Sequence, residues 1–166
     1  MYSLFHIALR YLEYWIGSQN GRGHGIHSPF VYELVTTVFR DSTAYDDYNR
    51  VEDLRAKLLK DPQLLSILDL GAGSRVSSST IRSISFLARH SAKPKKYAQL
   101  LFRLARYYQP RRIVELGTSL GLSTAYLALG ASQSQVFTME GCPDIAAAAR
   151  KNFQQLSINN ISLAVG

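Results

Sequence analysis

Two glutamates and a glycine-rich turn are the residues in this chain best placed to do chemistry. Val114-Glu115-Leu116-Gly117-Thr118-Ser119-Leu120-Gly121-Leu122-Ser123-Thr124 puts an acid two residues ahead of a turn built from glycine and hydroxyl side chains. A second acid, Glu140, stands 25 residues further on and is followed by Gly141. Each acid stands at the tip of a short β-type run, Glu115 in Arg112 to Leu116 and Glu140 in Gln135 to Glu140. A strand that turns into a helix through glycine lets a ligand approach the backbone and meet the free N–H groups of the helix start. Gly117 is expected in a conformation that a side chain forbids, Gly121 is expected to let the helix begin close to the ligand, and Ser119 and Ser123 can cap or donate hydrogen bonds.

The two acids narrow the ligand. A carboxylate at the tip of the second strand can accept both hydroxyls of a ribose, which is the task expected of Glu140. A carboxylate at Glu115 would repel a dinucleotide's pyrophosphate, but it suits a ligand ending in a zwitterionic amino acid and a sulfonium, as S-adenosylmethionine does.

The run from Val114 to Thr124 resembles the first motif of class I, Rossmann-like S-adenosylmethionine-dependent methyltransferases, and is especially similar to the small-molecule O-methyltransferase branch. Val136-Phe137-Thr138-Met139-Glu140-Gly141 resembles their second motif. The resemblance implies S-adenosylmethionine as cofactor. Glu115 and the backbone of Gly117, Thr118, Ser119 and Gly121 would then lie at its methionine part, with Ser123 nearby, and Glu140 with Gly141 at the ribose. It also implies a small-molecule acceptor. The likeness runs from about Pro110 to Gly166. Members of that family continue through further strands that hold catalytic and acceptor groups, so a truncated cofactor-binding portion, inactive alone and without identifiable catalytic residues, is the expectation.

The elements that must hold these residues follow from periodicity. Gly121 to Leu129 and Asp144 to Leu156 read as helices and Ile161 to Val165 as a third strand, giving β-α-β-α-β with short connections. The fold class expected is α/β: a helical extension over residues 1–109, then the first half of a doubly wound parallel sheet over 110–166. Helices are predicted at Leu4 to Ile16, Phe30 to Phe39 behind Ser28 and Pro29, Asn49 to Leu59, Ile81 to His90, and from Lys93-Pro94 to Tyr108. Leu64 to Leu70 is apolar but ambiguous, and Gly71 to Thr80 has a loop's composition. The strand Arg112 to Leu116 lacks a further neighbour, so an open apolar edge needing cover, by a homodimer or by helices, is expected.

At 166 residues with 46% hydrophobic content the chain can bury a core without disulfides. Cys142 is its only cysteine, so nothing points to an oxidising compartment and a cytoplasmic home is expected. The Met1 to Ile16 stretch is interrupted by Arg10 and Glu13 and falls short of a membrane span, which leaves a packed helix, or less readily an interfacial one. The net charge of +7 is uneven: Gly71 to Val114 holds ten basic residues and no acid, leaving nine basic against twelve acidic elsewhere. Such a segment, from Arg75 to Arg112, can meet nucleic acid, although helical spacing explains it as a solvated face. Two other readings stay open: an NAD(P)-dependent oxidoreductase domain and a non-catalytic basic nucleic-acid-binding module.

Several lesser features are set aside. Ile67-Leu68-Asp69-Leu70-Gly71-Ala72-Gly73-Ser74 imitates the first motif, but Arg75 stands where a third glycine belongs and no acid follows until Glu115. His24 and His27 form an incomplete ligand set, so no metal is expected. Cys142 lacks a basic neighbour in sequence and reads as a buried or half-buried thiol. Tyr107, Tyr108 and Tyr126 read as packing groups.

Overall fold

Three short runs, each apolar and each followed by a helix or closing the chain, pair into one parallel sheet. In the computed structural model, which describes residues 4–17, 27–68 and 80–166, these are β3 (Arg112–Leu116), β4 (Gln135–Glu140) and β5 (Ile161–Val165), in the order β3-β4-β5. Their connections are α6 (Leu122–Gly130) and α7 (Pro143–Gln155). The register sets Glu115 against Thr138 and Glu140 against Val165. Because the order advances in one direction, right-handed crossovers place both helices on the same face. Burial follows: Val136 and Thr138 point into the core, whereas Val114 (65% exposed), Leu116 (79%), Phe137 (37%) and Met139 (44%) lie on the opposite face.

Contacts divide the chain into two compact units, Met1–Thr43 and Ala44–Gly166. The first holds α1 (Leu4–Gly17) and α2 (Pro29–Glu33), capped by Ser28 with Pro29 at its start as expected, and continuing as a π-helical turn, Leu34–Phe39. The expected uniform helix loosens there because the Thr36 hydroxyl donates to the Tyr32 carbonyl at 2.7 Å and competes with the backbone for it. No helix among the described residues is long and apolar enough to cross a membrane.

In the second unit α3 (Asp46–Leu58), α4 (Ile84–His90) and α5 (Lys95–Tyr108) share a core with the sheet. Helix α3 starts three residues earlier than predicted, since Asp46 and Asp47 suit the positive end of a helix and Asp47 pairs with Arg50 at 2.8 Å. Tyr48 of α3, Phe102 of α5 and Tyr126 of α6 stack edge to face, with centroids 5.1 and 5.8 Å apart, and Tyr126 is fully buried. Tyr107 and Tyr108, expected as packing groups, pack on each other with 5.0 Å between centroids but lie exposed.

The ambiguous run at Leu64 becomes β1 (Leu64–Ser66), paired antiparallel with β2 (Ile81–Ser83). Helix α4 consequently begins at Ile84 rather than Ile81, with the Ser83 hydroxyl accepting from the Phe86 amide at 3.1 Å. The imitation motif from Asp69 to Ser74, most of the predicted loop up to Thr80, and His24 lie outside the described residues.

Candidate functional site

The β3–α6 turn is held by a hydroxyl-anchored carboxylate. Glu115 faces inward from β3, and its oxygens accept from Ser123 Oγ at 2.7 Å, from Thr138 Oγ1 at 2.9 Å, and from Thr124 Oγ1. Thr138, on the neighbouring strand, also shares a 2.7 Å hydrogen bond with Thr118. Three of about four lone-pair positions on the carboxylate are thereby used, so Glu115 fastens the helix start and the adjacent strand to the turn. The Gly117 and Thr118 amides both donate to the Met139 carbonyl at 3.0 Å, which fixes the turn to the end of β4.

The backbone explains which residues the turn tolerates. Gly117 and Gly121 have φ of 90° and 81°, in the left-handed region, and Ser119 joins them at 50°. A Cβ on Gly117 would meet nothing within 4 Å, whereas one on Gly121 would lie 2.4 Å from the Phe153 ring of α7. Gly117 therefore leaves open space, and Gly121 makes room for a core side chain.

Glu140 closes the same structure from the other side. Its Oε2 accepts from the Ser119 amide at 2.8 Å and its Oε1 from the Cys142 amide at 3.1 Å. One carboxylate thus bridges the turns after β3 and β4, with Gly141 between its own residue and Cys142. Cys142 is buried, donating its thiol to the Ser66 carbonyl at 3.3 Å, so β1 braces the second turn.

A cavity of about 240 Å³ opens at this place, lined by Glu115, Leu116, Gly117, Thr118, Ser119, Leu120, Leu122 and Ser123 and also by Ser91, Ala92 and Lys93 ahead of α5. Its volume lies below the usual range for a whole drug-sized ligand, roughly 300–1,000 Å³, and fits one end of a larger molecule. Among the predicted residues, Glu115, Gly117, Thr118, Ser119 and Ser123 line it together. Gly121, Glu140 and Gly141 do not, though Glu140 is joined to it through Ser119. A larger hollow of about 420 Å³ between α3, β1 and α7 touches none of the predicted residues.

Sequence reading missed three contributors. Thr138 and Thr124 lie inside quoted motifs, but their hydroxyls' work on Glu115 depends on the strand register. Lys93-Pro94 was legible as a helix start, yet only the fold brings Lys93 to the cavity that Glu115 lines.

With the turn, its acids and the parallel sheet in view, similarity to known proteins becomes informative. Over 122 residues, 69% of this chain and 57% of the relative, the sequence is 25% identical to a protein-L-isoaspartate O-methyltransferase of Protochlamydia amoebophila. Over 70 residues, 41% of this chain and 32% of the relative, it is 40% identical to a catechol O-methyltransferase of Mycobacterium tuberculosis. In sequence, the chain is similar to O-methyltransferases. The fold agrees: a methyltransferase of Podospora anserina, solved with S-adenosylhomocysteine bound, superposes with a TM-score of 0.52 at 16% identity, covering 84% of this chain and 50% of that one. The chain spans about half the length of these relatives or less. No family model matches it.

Proposed function

We propose that this chain carries the S-adenosylmethionine-binding portion of a small-molecule O-methyltransferase, with residues 110–166 as the cofactor-binding part and the preceding segment as its helical extension. The observation that carries the reading is the bridge from the cavity-lining Ser119 amide to Glu140, which joins an amino-acid-sized cavity at Glu115 to a strand-end carboxylate. The hollow beside Gly117, Thr118 and Ser119 takes the methionine end, and the remaining lone pair of Glu115 faces its ammonium. Glu140, already oriented by two amides, takes the ribose hydroxyls, and Gly141 gives its turn the room to do so. Gly121 and Ser123 set the start of α6 against the ligand. The cofactor supplies an electrophilic methyl on sulfonium; this chain's residues bind and orient it, which is where positioning gives most of the acceleration. A homodimer and a cytoplasmic home belong to the same reading, supported by the bare sheet face and the lone buried thiol.

Calorimetric titration of the chain with S-adenosylhomocysteine, S-adenosylmethionine and NAD tests this. Micromolar binding of the adenosyl ligands and none of NAD is expected, with Glu140→Gln weakening them about tenfold through lost charge-assisted hydrogen bonds. Binding of NAD in preference to S-adenosylhomocysteine overturns the assignment.

A further inference from the structure

The cavity beside Glu115 has a second charged wall. Ser91, Ala92 and Lys93 form it, immediately before α5. Lys95 and Lys96 open that helix and Lys93 stands just ahead of its N-cap Pro94, and the first turn contains no acid. Among the described residues no ion pair holds any of the three. Cations gathered at the positive end of a helix oppose its dipole and one another, so the arrangement costs stability where an acid would add it. Local conflict of that kind concentrates at places where a ligand supplies the missing charge. Of the three lysines, Lys93 alone lines the cavity.

A cavity whose lining includes one acidic residue, Glu115, and one basic residue, Lys93, matches a zwitterion. Glu115 already accepts from three hydroxyls and offers little more than one acceptor position, which is the number an α-ammonium requires of it. The α-carboxylate of the same ligand would then face Lys93, whose three donors it can share. Nothing else on the lining carries a positive side chain.

We infer that Lys93 is a specificity-determining residue for the carboxylate of the cofactor's amino-acid end, so that the site selects a complete aminoacyl tail over a decarboxylated one. This rests on the adenosyl-ligand reading above and assigns a partner to the ligand's carboxylate, which that reading leaves without one. No bond is made or broken in the step; the gain is a charge-assisted hydrogen bond whose size falls with salt.

Titration of the full chain with S-adenosylhomocysteine and with its decarboxylated analogue separates the two readings. The unmodified chain is expected to prefer the complete ligand. Lys93→Gln should reduce that preference about fivefold, as for a partly exposed charged hydrogen bond, while Lys93→Arg keeps most of it. Lys96→Gln removes the same charge outside the cavity and should leave the preference intact. Since Lys93 and Lys96 are exposed, none of the three variants should lower the melting temperature, and the two glutamine variants should hold it or raise it slightly by relieving the charge at the helix start. An unchanged preference in Lys93→Gln, or an equal loss in Lys96→Gln, overturns the role of Lys93 and leaves the adenosyl site standing. Failure of the unmodified chain to bind S-adenosylhomocysteine overturns both.

Discussion

Gly117 and Gly121 sit in one turn for different physical reasons, and substitution separates them. At Gly117 a methyl group meets open space, so alanine incurs only the left-handed backbone cost, about 1 kcal/mol. At Gly121 alanine adds a clash with the Phe153 ring at 2.4 Å, for a total of about 3 kcal/mol. Denaturant unfolding should show this order, and Phe153→Leu should cost about 1 kcal/mol less in the Gly121→Ala background than alone, because relieved crowding couples the pair. Equal losses at the two glycines would mean that the ring does not press on the turn. From the sequence, both glycines read as ligand-facing; Phe153 lies 32 residues beyond Gly121 in the chain, and no local pattern announces that its ring fills the space. The acids were legible for the opposite reason, since their place is fixed by strand ends and turn length.

Among the elements, α3 and α6 are joined by a polar contact inside an aromatic cluster. The Tyr126 hydroxyl donates to Glu52 at 2.8 Å, and Glu52 also receives Arg55 at 3.1 Å. Burial, followed by the bond to Glu52, raises the Tyr126 phenol well above its ordinary value of 10.0. The folded state therefore holds this proton more tightly than the unfolded one. The resulting stability is complete below about pH 10 and is lost as pH rises through the elevated folded value. Tyr126→Phe should cost about 1–2 kcal/mol at neutral pH through the lost charged hydrogen bond, and in chemical denaturation between pH 9 and 11 it should flatten the alkaline decline. An identical decline in the variant would place its origin elsewhere. Most elements were readable because their signals are local: Ser28-Pro29, the Lys93-Pro94 start, the strand-to-helix rhythm after Pro110. The β1–β2 pair was not, because its partners face each other across the stretch from Asp69 to Ser79, and short apolar runs do not reveal a non-local partner.

For the molecule as a whole, the sheet's composition and its covering disagree. Ile113, Val114 and Leu116 in β3, with Val136, Phe137 and Met139 in β4, are apolar on both faces, which is the composition of strands buried on both sides. One face has its helices, and the other presents Val114, Leu116, Phe137 and Met139 to solvent, with β3 at the sheet margin. Within the second unit this face carries no crossover helix, because both crossovers run on the opposite side. The isolated chain should self-associate and bind a hydrophobic dye. Val114→Thr with Leu116→Ser should reduce both, seen by sedimentation and fluorescence, while shifting the melting temperature by no more than about 4 °C, equivalent to roughly 1 kcal/mol. A monodisperse unmodified chain with no dye response would show that face to be harmless as it stands.

Helices α5 and α6 run side by side in the same direction: their starts flank one cavity, and near their far ends Gln109 reaches the Gly130 carbonyl at 3.2 Å. At Gly130 there is no room for even a methyl group, which would lie 2.4 Å from the Phe102 carbonyl oxygen. The two rods thus touch main chain to main chain about 12 Å along the axis from the start of α6. A side chain at that position would have to push the two helices apart or distort one of them, so the closeness of their pairing rests on the missing Cβ of Gly130.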